Sequence, residues 1–419
     1  MTNKKFVIKP SVLNGEVSVS GAKNSVLKLL SASLLTDDDV ILRNYPASLS
    51  DAEIHRQMLI KLGKVCTVNG STLHIKKNKG LQSDLTWNDR SIRSTLLMLG
   101  SILTRNGHAS VPLPGGCKLG ERKYDIHVYV LESLGAKVWG DDERLYASCE
   151  GRLKGAEIHL SMRSTGATEN AILASSLAEG VTNIWNPHIR PEVLDLIAML
   201  NSMGAKIKVF GQERIEVHGV KKLSGTNYEV MPDNMEALTW AVGASITGGT
   251  IKINNFPFEH LEVPLIYLRE SGCVIFKHGT TAIITGSTPF PLDISTGPYP
   301  GINSDMQPIL AAYASCAQGI SNIVDLRFIG RYAYAEQFEK MGVQTEIIGN
   351  MLKITGKGKG VINAANVIAT DLRAGISLAL LALCPEAGET TISNAWQIER
   401  GYDNFVTKFE MLGGNIRVI

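Results

Sequence analysis

The stretch VLDLIAMLNSMGAKIKVFGQERIEVHG, residues 193–219, reads as a helix, a stop and a pair of strands. Val193, Leu196, Ile197 and Leu200 follow the i, i+3, i+4, i+7 spacing that lines one face of a helix. Gly204 then interrupts the pattern, where a helix C-terminus often needs a left-handed residue that only glycine adopts without a Cβ penalty. Beyond it, KIKVF and RIEVH alternate around GQE as a hairpin does. The same punctuation recurs at Gly63 (KLGKV), Gly135 (SLGAKV), Gly272 (ESGCVI), Gly342 (KMGVQT) and Gly413 (MLGGNI). Successive spacings are 72, 69, 68, 70 and 71 residues, so the chain is six copies of one unit.

Each copy carries a second helix that is apolar nearly all round: NSVLKLLSASLL, RSTLLMLGSILT, TENAILASSLAEG, MEALTWAVGASITGG, DMQPILAAYASCAQG and RAGISLALLALC. Helices of that kind belong inside a domain. A strand follows each, as in VILRNYP or TIKINNFP, giving strand, buried helix, strand, surface helix and strand pair. The last copy ends after one strand, GNIRVI, and the N-terminal KKFVIKP is the expected partner. Three copies fill a compact unit near the usual domain ceiling. The expected division is therefore 22–229 for one domain and 1–21 plus 230–419 for the other, with a single six-fold ring as the alternative.

With 419 residues, 44% apolar and 20% charged, the chain has ample material for such cores. A net charge of +2 gives no global field to recruit nucleic acid or an anionic membrane, so anionic ligands must meet local charges. No signal-like or membrane-length apolar run stands out, and six singly placed cysteines suit a reduced, cytoplasmic protein. No metal is expected, since the nine histidines lack HExxH or Cys-His spacing. GKGKG (356–360) lacks the order of a phosphate loop and reads as a flexible turn.

The buried-helix starts are polar: Lys23-Asn24, Ser91-Ile92-Arg93, Ser164-Thr165-Gly166, Asp233-Asn234, Ser304-Asp305 and Asp371-Leu372-Arg373. Capping accounts for the Ser and Asp residues. It does not account for Lys23, Arg93 and Arg373, because a cation in the first turn opposes the helix dipole. A bound anion reverses that sign, and small anionic substrates are the expected partners. A second cluster, PLPGGCKLGERK (112–123), is a Gly- and Pro-rich loop with basic residues around Cys117 that favour its thiolate. The other five cysteines read as core filler.

At SGAKN (20–24), LPGGCKLGER (113–122), RLKGAEI (152–158), GATEN (166–170), SDMQ (304–307), ATDLRAG (369–375) and ERGY (399–402) the chain resembles the enolpyruvyl transferases. Its cysteine loop is similar to that of the UDP-N-acetylglucosamine branch (MurA). The resemblance covers essentially the whole chain. It implies an α/β fold of two similar domains, each of three βαβαββ repeats around buried helices (an inside-out α/β barrel), with the active site in the interdomain cleft. It implies transfer of the enolpyruvyl group of phosphoenolpyruvate to a hydroxyl of UDP-N-acetylglucosamine, the first committed step of peptidoglycan synthesis, without cofactor or metal. Lys23, Arg93, Arg122, Arg331, Arg373 and Arg400 are then the phosphoenolpyruvate-binding set. Asn24, Arg122, Lys123, Tyr124, Asp125, Ile126, Ser164, Thr165, Gly166 and Asp305 meet the acceptor. Cys117 is the proton donor or covalent partner, Asp305 the base at the acceptor hydroxyl, and Asp371 assists proton transfer beside Lys23.

Departures from the family pattern gather on the acceptor side. They are Lys123-Tyr124, Arg163, Asn234, Ile329-Gly330 and Tyr299-Pro300-Gly301-Ile302. Two alternatives follow: an enolpyruvyl transferase using another uridine nucleotide in a secondary-metabolite pathway, and a catalytically silent ligand-sensing paralogue.

Overall fold

Six helices end on glycines whose φ lies between +83° at Gly413 and +99° at Gly63 and Gly272. Each glycine donates its N–H to the carbonyl three residues back, as Gly204 does to Asn201. After five of them the next N–H reaches the carbonyl five residues back, Ala205 to Leu200 and Val343 to Phe338 among them. The orphan carbonyls of the last turn are thereby satisfied, and only a residue without Cβ takes that conformation cheaply. The structure is a computed structural model and describes residues 4–90, 92–113 and 124–419.

The chain forms two compact units: Gly21–Met231, and the segment up to Ser20 together with Pro232–Ile419. In Gly21–Met231 the buried helices are Lys23–Ala32, Thr95–Asn106 and Thr165–Ser175, and the second packs on both others. Three sheets accompany them. One runs Thr226–Glu229, Val40–Arg43, Thr72–Lys77, Lys64–Asn69; another Lys206–Phe210, Arg214–His218, Val181–Trp185, Glu157–His159; the third His108–Pro112, Arg144–Ser148, Lys137–Gly140. In both four-stranded sheets the strand after the buried helix has a parallel neighbour on one side and an antiparallel hairpin on the other. The helices Ser50–Lys61, Asp125–Ser133 and Pro191–Ser202 are amphipathic, and Val193, Leu196 and Leu200 are fully buried.

The second unit repeats the plan. Its buried helices, Asn234–Thr247, Gln307–Ser315 and Leu372–Leu381, pack on one another. Four-stranded sheets are built on Thr250–Asn254, Gln318–Val324 and Thr390–Ser393. Phe6–Lys9 lies between Thr390–Ser393 and Asn415–Val418, antiparallel to both, with Phe6 opposite Val418. The N-terminal strand therefore completes the last repeat. Helices surrounded on all sides have no polar face to offer, which accounts for their uniform apolar composition.

A second repeated signal lies just after the strands that follow the buried helices. Asn44, Asn186, Asn255 and Asn394 all take positive φ, between 52° and 57°. Asparagine tolerates this conformation better than other non-glycine residues. Two expectations are corrected. Gly356 and Lys357 belong to the strand Met351–Lys357, with the turn following at Lys359–Val361, so GKGKG is only partly a turn. Cys149 is partly exposed, with its thiol directed to the Gly151 carbonyl, whereas Cys66, Cys273, Cys316 and Cys384 are buried.

Candidate active site

In the Gly21–Met231 unit, Ala22 caps the helix Lys23–Ala32 without a side-chain bond, so Lys23 occupies its first turn. Its ammonium lies 2.9 Å from Asp51 Oδ2, and Arg90 holds the other oxygen of that carboxylate. Asp51 is 3% exposed and stands in the first turn of its own helix, where the dipole favours an anion. The charge of Lys23 is thus compensated from within the protein. Arg93 does not open a helix as expected: the helix starts at Thr95, because Ile92 to Ser94 form a preceding turn bonded to Thr95, Leu96 and Leu97. Arg93 adds a positive charge near His127, and burial followed by that charge depresses the imidazole to about 3. His55, fully buried between Ser31 and Ser94, is likewise lowered to about 3, by burial and then by Lys28. Both rings are neutral at neutral pH.

The residues expected at the acceptor cluster on the same unit. Tyr124 precedes the helix Asp125–Ser133, Asp125 is exposed, and Tyr124 and Ile126 pack partly against the core. Ser164 caps Thr165–Ser175 through the Ala167 N–H, and the Thr165 hydroxyl lies 2.8 Å from His188 Nδ1. A Cβ on Gly166 would stand 3.0 Å from the His127 ring, so this turn admits glycine because the imidazole backs it. Asn24 is partly exposed beside Lys23. Arg163 reaches Asn186 Oδ1 at 3.3 Å and the Gln212 carbonyl at 3.5 Å. Cys117, Arg122 and Lys123 lie outside the described residues.

The other unit gathers a second set. Asp305 was expected either as a base or as a helix cap; the helix Gln307–Ser315 has Met306 at its cap position, so Asp305 does not cap it. Its carboxylate instead accepts from Arg331 Nη1 at 2.9 Å and faces Arg373 Nη2 at 3.6 Å. Arg331 also donates to Ser304 Oγ at 3.0 Å, and Ser304 donates to the buried Asp325. Asp371 does cap its helix, accepting from the N–H groups of Arg373 and Ala374 at 2.7 and 3.0 Å. The Arg331 and Arg373 side chains are only 7% and 4% exposed. Burial works against their charge, yet Asp305 and Asp371 raise Arg331, while Tyr402, Asp305 and Asp233 raise Arg373. The Nε–H of each finds no acceptor among the described residues. Two buried cationic donors left unmatched suit a dianionic group. Arg400 is partly buried, donating to Gln397 and lying over Trp396 at 5.8 Å. Asn234 is buried in the first turn of its helix, and Asp233 is the cap.

Asp51, Arg90, His127, Ser304 and Tyr402 were not anticipated as site residues. Tyr402 carried a signal as part of the ERGY motif and Ser304 as part of SDMQ, whereas Asp51, Arg90 and His127 carried none. Among the described residues no group of three or more His, Cys, Asp or Glu is arranged to hold a metal, and no helix is long and apolar enough to cross a membrane.

Two units built on one three-repeat plan, one of them with nearly buried guanidinium groups around a carboxylate, define a class. The chain belongs to the EPSP synthase (3-phosphoshikimate 1-carboxyvinyltransferase) family, whose model it matches over residues 7–409, and is thus an enolpyruvyl transferase. The UDP-N-acetylglucosamine 1-carboxyvinyltransferase 1 of Caldanaerobacter subterraneus is 37% identical over 417 residues, covering 98% of this chain and 99% of that protein. The UDP-N-acetylglucosamine 1-carboxyvinyltransferase of Aeromonas hydrophila is 38% identical over 414 residues, 97% of each chain. Among solved structures, the enolpyruvyl transferase NikO from Streptomyces tendae superposes with a TM-score of 0.89 at 22% identity, covering 100% and 99% of the two chains. An EPSP synthase from Acinetobacter baumannii gives 0.78 at 20% identity, covering 99% of each. At those identities the two structures speak to the fold alone.

Proposed function

We propose that this protein transfers the enolpyruvyl group of phosphoenolpyruvate to a hydroxyl of UDP-N-acetylglucosamine, releasing phosphate. The observation that carries the reading is the identity of 37–38%, along nearly the whole chain, with relatives that bear that activity in their names. The site chemistry fits. Asp305 takes the proton of the acceptor hydroxyl as its oxygen bonds to the central carbon of phosphoenolpyruvate. Cys117 supplies a proton to the methylene carbon. Loss of phosphate, with return of a proton from the new methyl group, restores the double bond. Lys23, Arg93, Arg122, Arg331, Arg373 and Arg400 meet the phosphate and carboxylate, with arginine forks matched to both oxyanions. Asn24, Lys123, Tyr124, Asp125, Ile126, Ser164, Thr165 and Gly166 meet the nucleotide sugar, and Asp371 assists proton transfer.

This reading places the protein in the cytoplasm, in peptidoglycan and cell-wall synthesis, and makes it a target of fosfomycin. It also requires groups from both units to act on one pair of substrates. Acceptor binding then draws them into a water-excluding arrangement, an induced fit that small-angle scattering with and without acceptor tests. A second reading, another uridine nucleotide as acceptor, is favoured by Arg163, which is tied to Asn186 and Gln212 beside the Ser164 turn. Phosphate release from phosphoenolpyruvate against a panel of UDP-sugars and bare nucleotides separates the two by kcat/KM. No release with any acceptor overturns both.

A further inference from the structure

Arg373 is the deepest of the described cations around Asp305, and its orientation is set from behind. Its Nη1 donates to the Tyr402 hydroxyl at 3.4 Å, and its guanidinium lies 5.8 Å from the Tyr402 ring centroid. The Tyr402 hydroxyl stands 2.8 Å from Thr239 Oγ1, and Thr239 Oγ1 donates to the Met235 carbonyl at 2.8 Å. Each hydroxyl has one hydrogen, so the polarity of the chain is determined. Thr239 spends its hydrogen on Met235 and accepts from Tyr402, which leaves the Tyr402 oxygen to accept from Arg373. All three side chains are buried, and burial pushes the phenol up to about 12, so Tyr402 keeps its hydrogen at neutral pH. With Nη1 committed to Tyr402, Nη2 faces Asp305, and the Nε–H finds no acceptor among the described residues.

We infer that Tyr402 and Thr239 are positioning residues for the transfer reaction: their hydroxyl relay fixes the rotation of Arg373 and, through it, the Asp305 carboxylate. The inference rests on the functional reading above, in which Asp305 and Arg373 meet the substrates. Neither hydroxyl touches a reacting atom. Their effect is one of alignment, and a misplacement of about 1 Å at a catalytic group can cost on the order of 100-fold in rate.

The test uses Tyr402→Phe, Thr239→Val and Thr239→Ser in the full chain, with phosphoenolpyruvate and UDP-N-acetylglucosamine. Turnover by the native enzyme decides the functional reading independently. For the relay, Thr239→Val and Tyr402→Phe should each lower kcat by about tenfold or more, with acceptor KM held within about threefold, because alignment is lost rather than acceptor contact. Thr239→Ser, which restores the hydroxyl, should return to within about twofold of native. The double variant should be no worse than the poorer single one, since either change breaks the same chain. Native kcat in both Tyr402→Phe and Thr239→Val, or equal impairment in Thr239→Ser and Thr239→Val, overturns the relay. Should Tyr402→Phe fail to fold, the two Thr239 variants decide alone. Should the native enzyme accept no acceptor, calorimetric binding of inorganic phosphate decides: weaker binding by Thr239→Val than by Thr239→Ser supports the relay, and equal binding overturns it.

Discussion

Arg331 Nη1 donates to Asp305 Oδ1 at 2.9 Å, although 26 residues separate the two in sequence. The contact turns Asp305 away from the helix it precedes and toward a pair of guanidinium groups, with Arg373 on its other oxygen at 3.6 Å. A carboxylate held between two nearly buried arginines is oriented without being sealed off, since its side chain remains 27% exposed. It is accessible to a ligand hydroxyl, and its neighbours carry donors for an anion. The relationship motivates the first prediction.

Asp305→Asn keeps the size of the side chain and loses the ability to take a proton. Because Met306 occupies the cap position, no helix cap is removed with it. The kcat should fall by roughly 100-fold or more, with a smaller change in acceptor Kd. Near-normal kcat in a folded variant would remove Asp305 as the base.

One thiol should stand apart from the others. Burial raises Cys66 to about 11, and burial likewise raises Cys149 and Cys273. Cys316 is raised by its neighbour Cys384 and by burial. Thiolates are the reactive form, so these four are poor nucleophiles. Exposure to fosfomycin should give a single adduct on the peptide containing Cys117, read by mass spectrometry. Labelling spread over Cys66 or Cys149 would contradict a special thiol.

The buried histidines make stability pH-dependent. His55 and His127 are each lowered to about 3, below the unfolded value near 6.5, so the folded state binds fewer protons in between. Their contribution is present above the unfolded value and is lost as pH falls, by about 1.4 kcal/mol per pH unit for each ring. Glu169 runs the other way: burial lifts it to about 7, and its contribution is lost as pH rises from its unfolded value through that point. Below pH 6.5 the two histidines outweigh one carboxyl, and denaturant midpoints should fall from pH 6.5 to 5. His127→Gln should abolish most of that fall, because His55 and Glu169 then nearly balance. An unchanged slope would mean that the ring is not buried and neutral.

The helix-ending glycines differ in what surrounds them. Gly204 has open space where a Cβ would stand, whereas a Cβ on Gly342 would meet the Val361 carbonyl at 2.9 Å and Asn363 at 2.5 Å. Gly204→Ala should cost about 1–2 kcal/mol, from the left-handed conformation alone. Gly342→Ala should cost more, since the carbonyl cannot yield without moving the chain after it. Chemical denaturation compares the two, and equal losses would show that the backbone strain alone sets both.

The six-fold repeat, the fold class and the chain-end strand pairing were legible because they rest on short-range regularities. Periodicity places Val193, Leu196 and Leu200 on one buried face, and all three are fully buried. Glycine at six helix ends is a local demand of backbone geometry, as are the left-handed asparagines that follow four of the strands, which carried a signal that the periodicity of apolar residues did not include. At the site, Lys23, Arg373, Asp305 and Asp371 could be singled out as residue types at helix starts.

Their partners could not, because a partner is set by which elements pack together. Asp51 reaches Lys23 from another helix, Arg331 reaches Asp305 from beyond a strand, and Tyr402 meets Thr239 across 163 residues. The sequence by itself determined the repeat, its helices and strands and the charged residues at their ends, since each depends on neighbours a few positions away. Only the tertiary structure decided which charges are compensated, which donors of Arg331 and Arg373 remain unmatched among the described residues, and that Asp305 faces guanidinium groups rather than its own helix. Those outcomes depend on distances between segments remote along the chain, and electrostatic and hydrogen-bond energies fall steeply over a few ångströms.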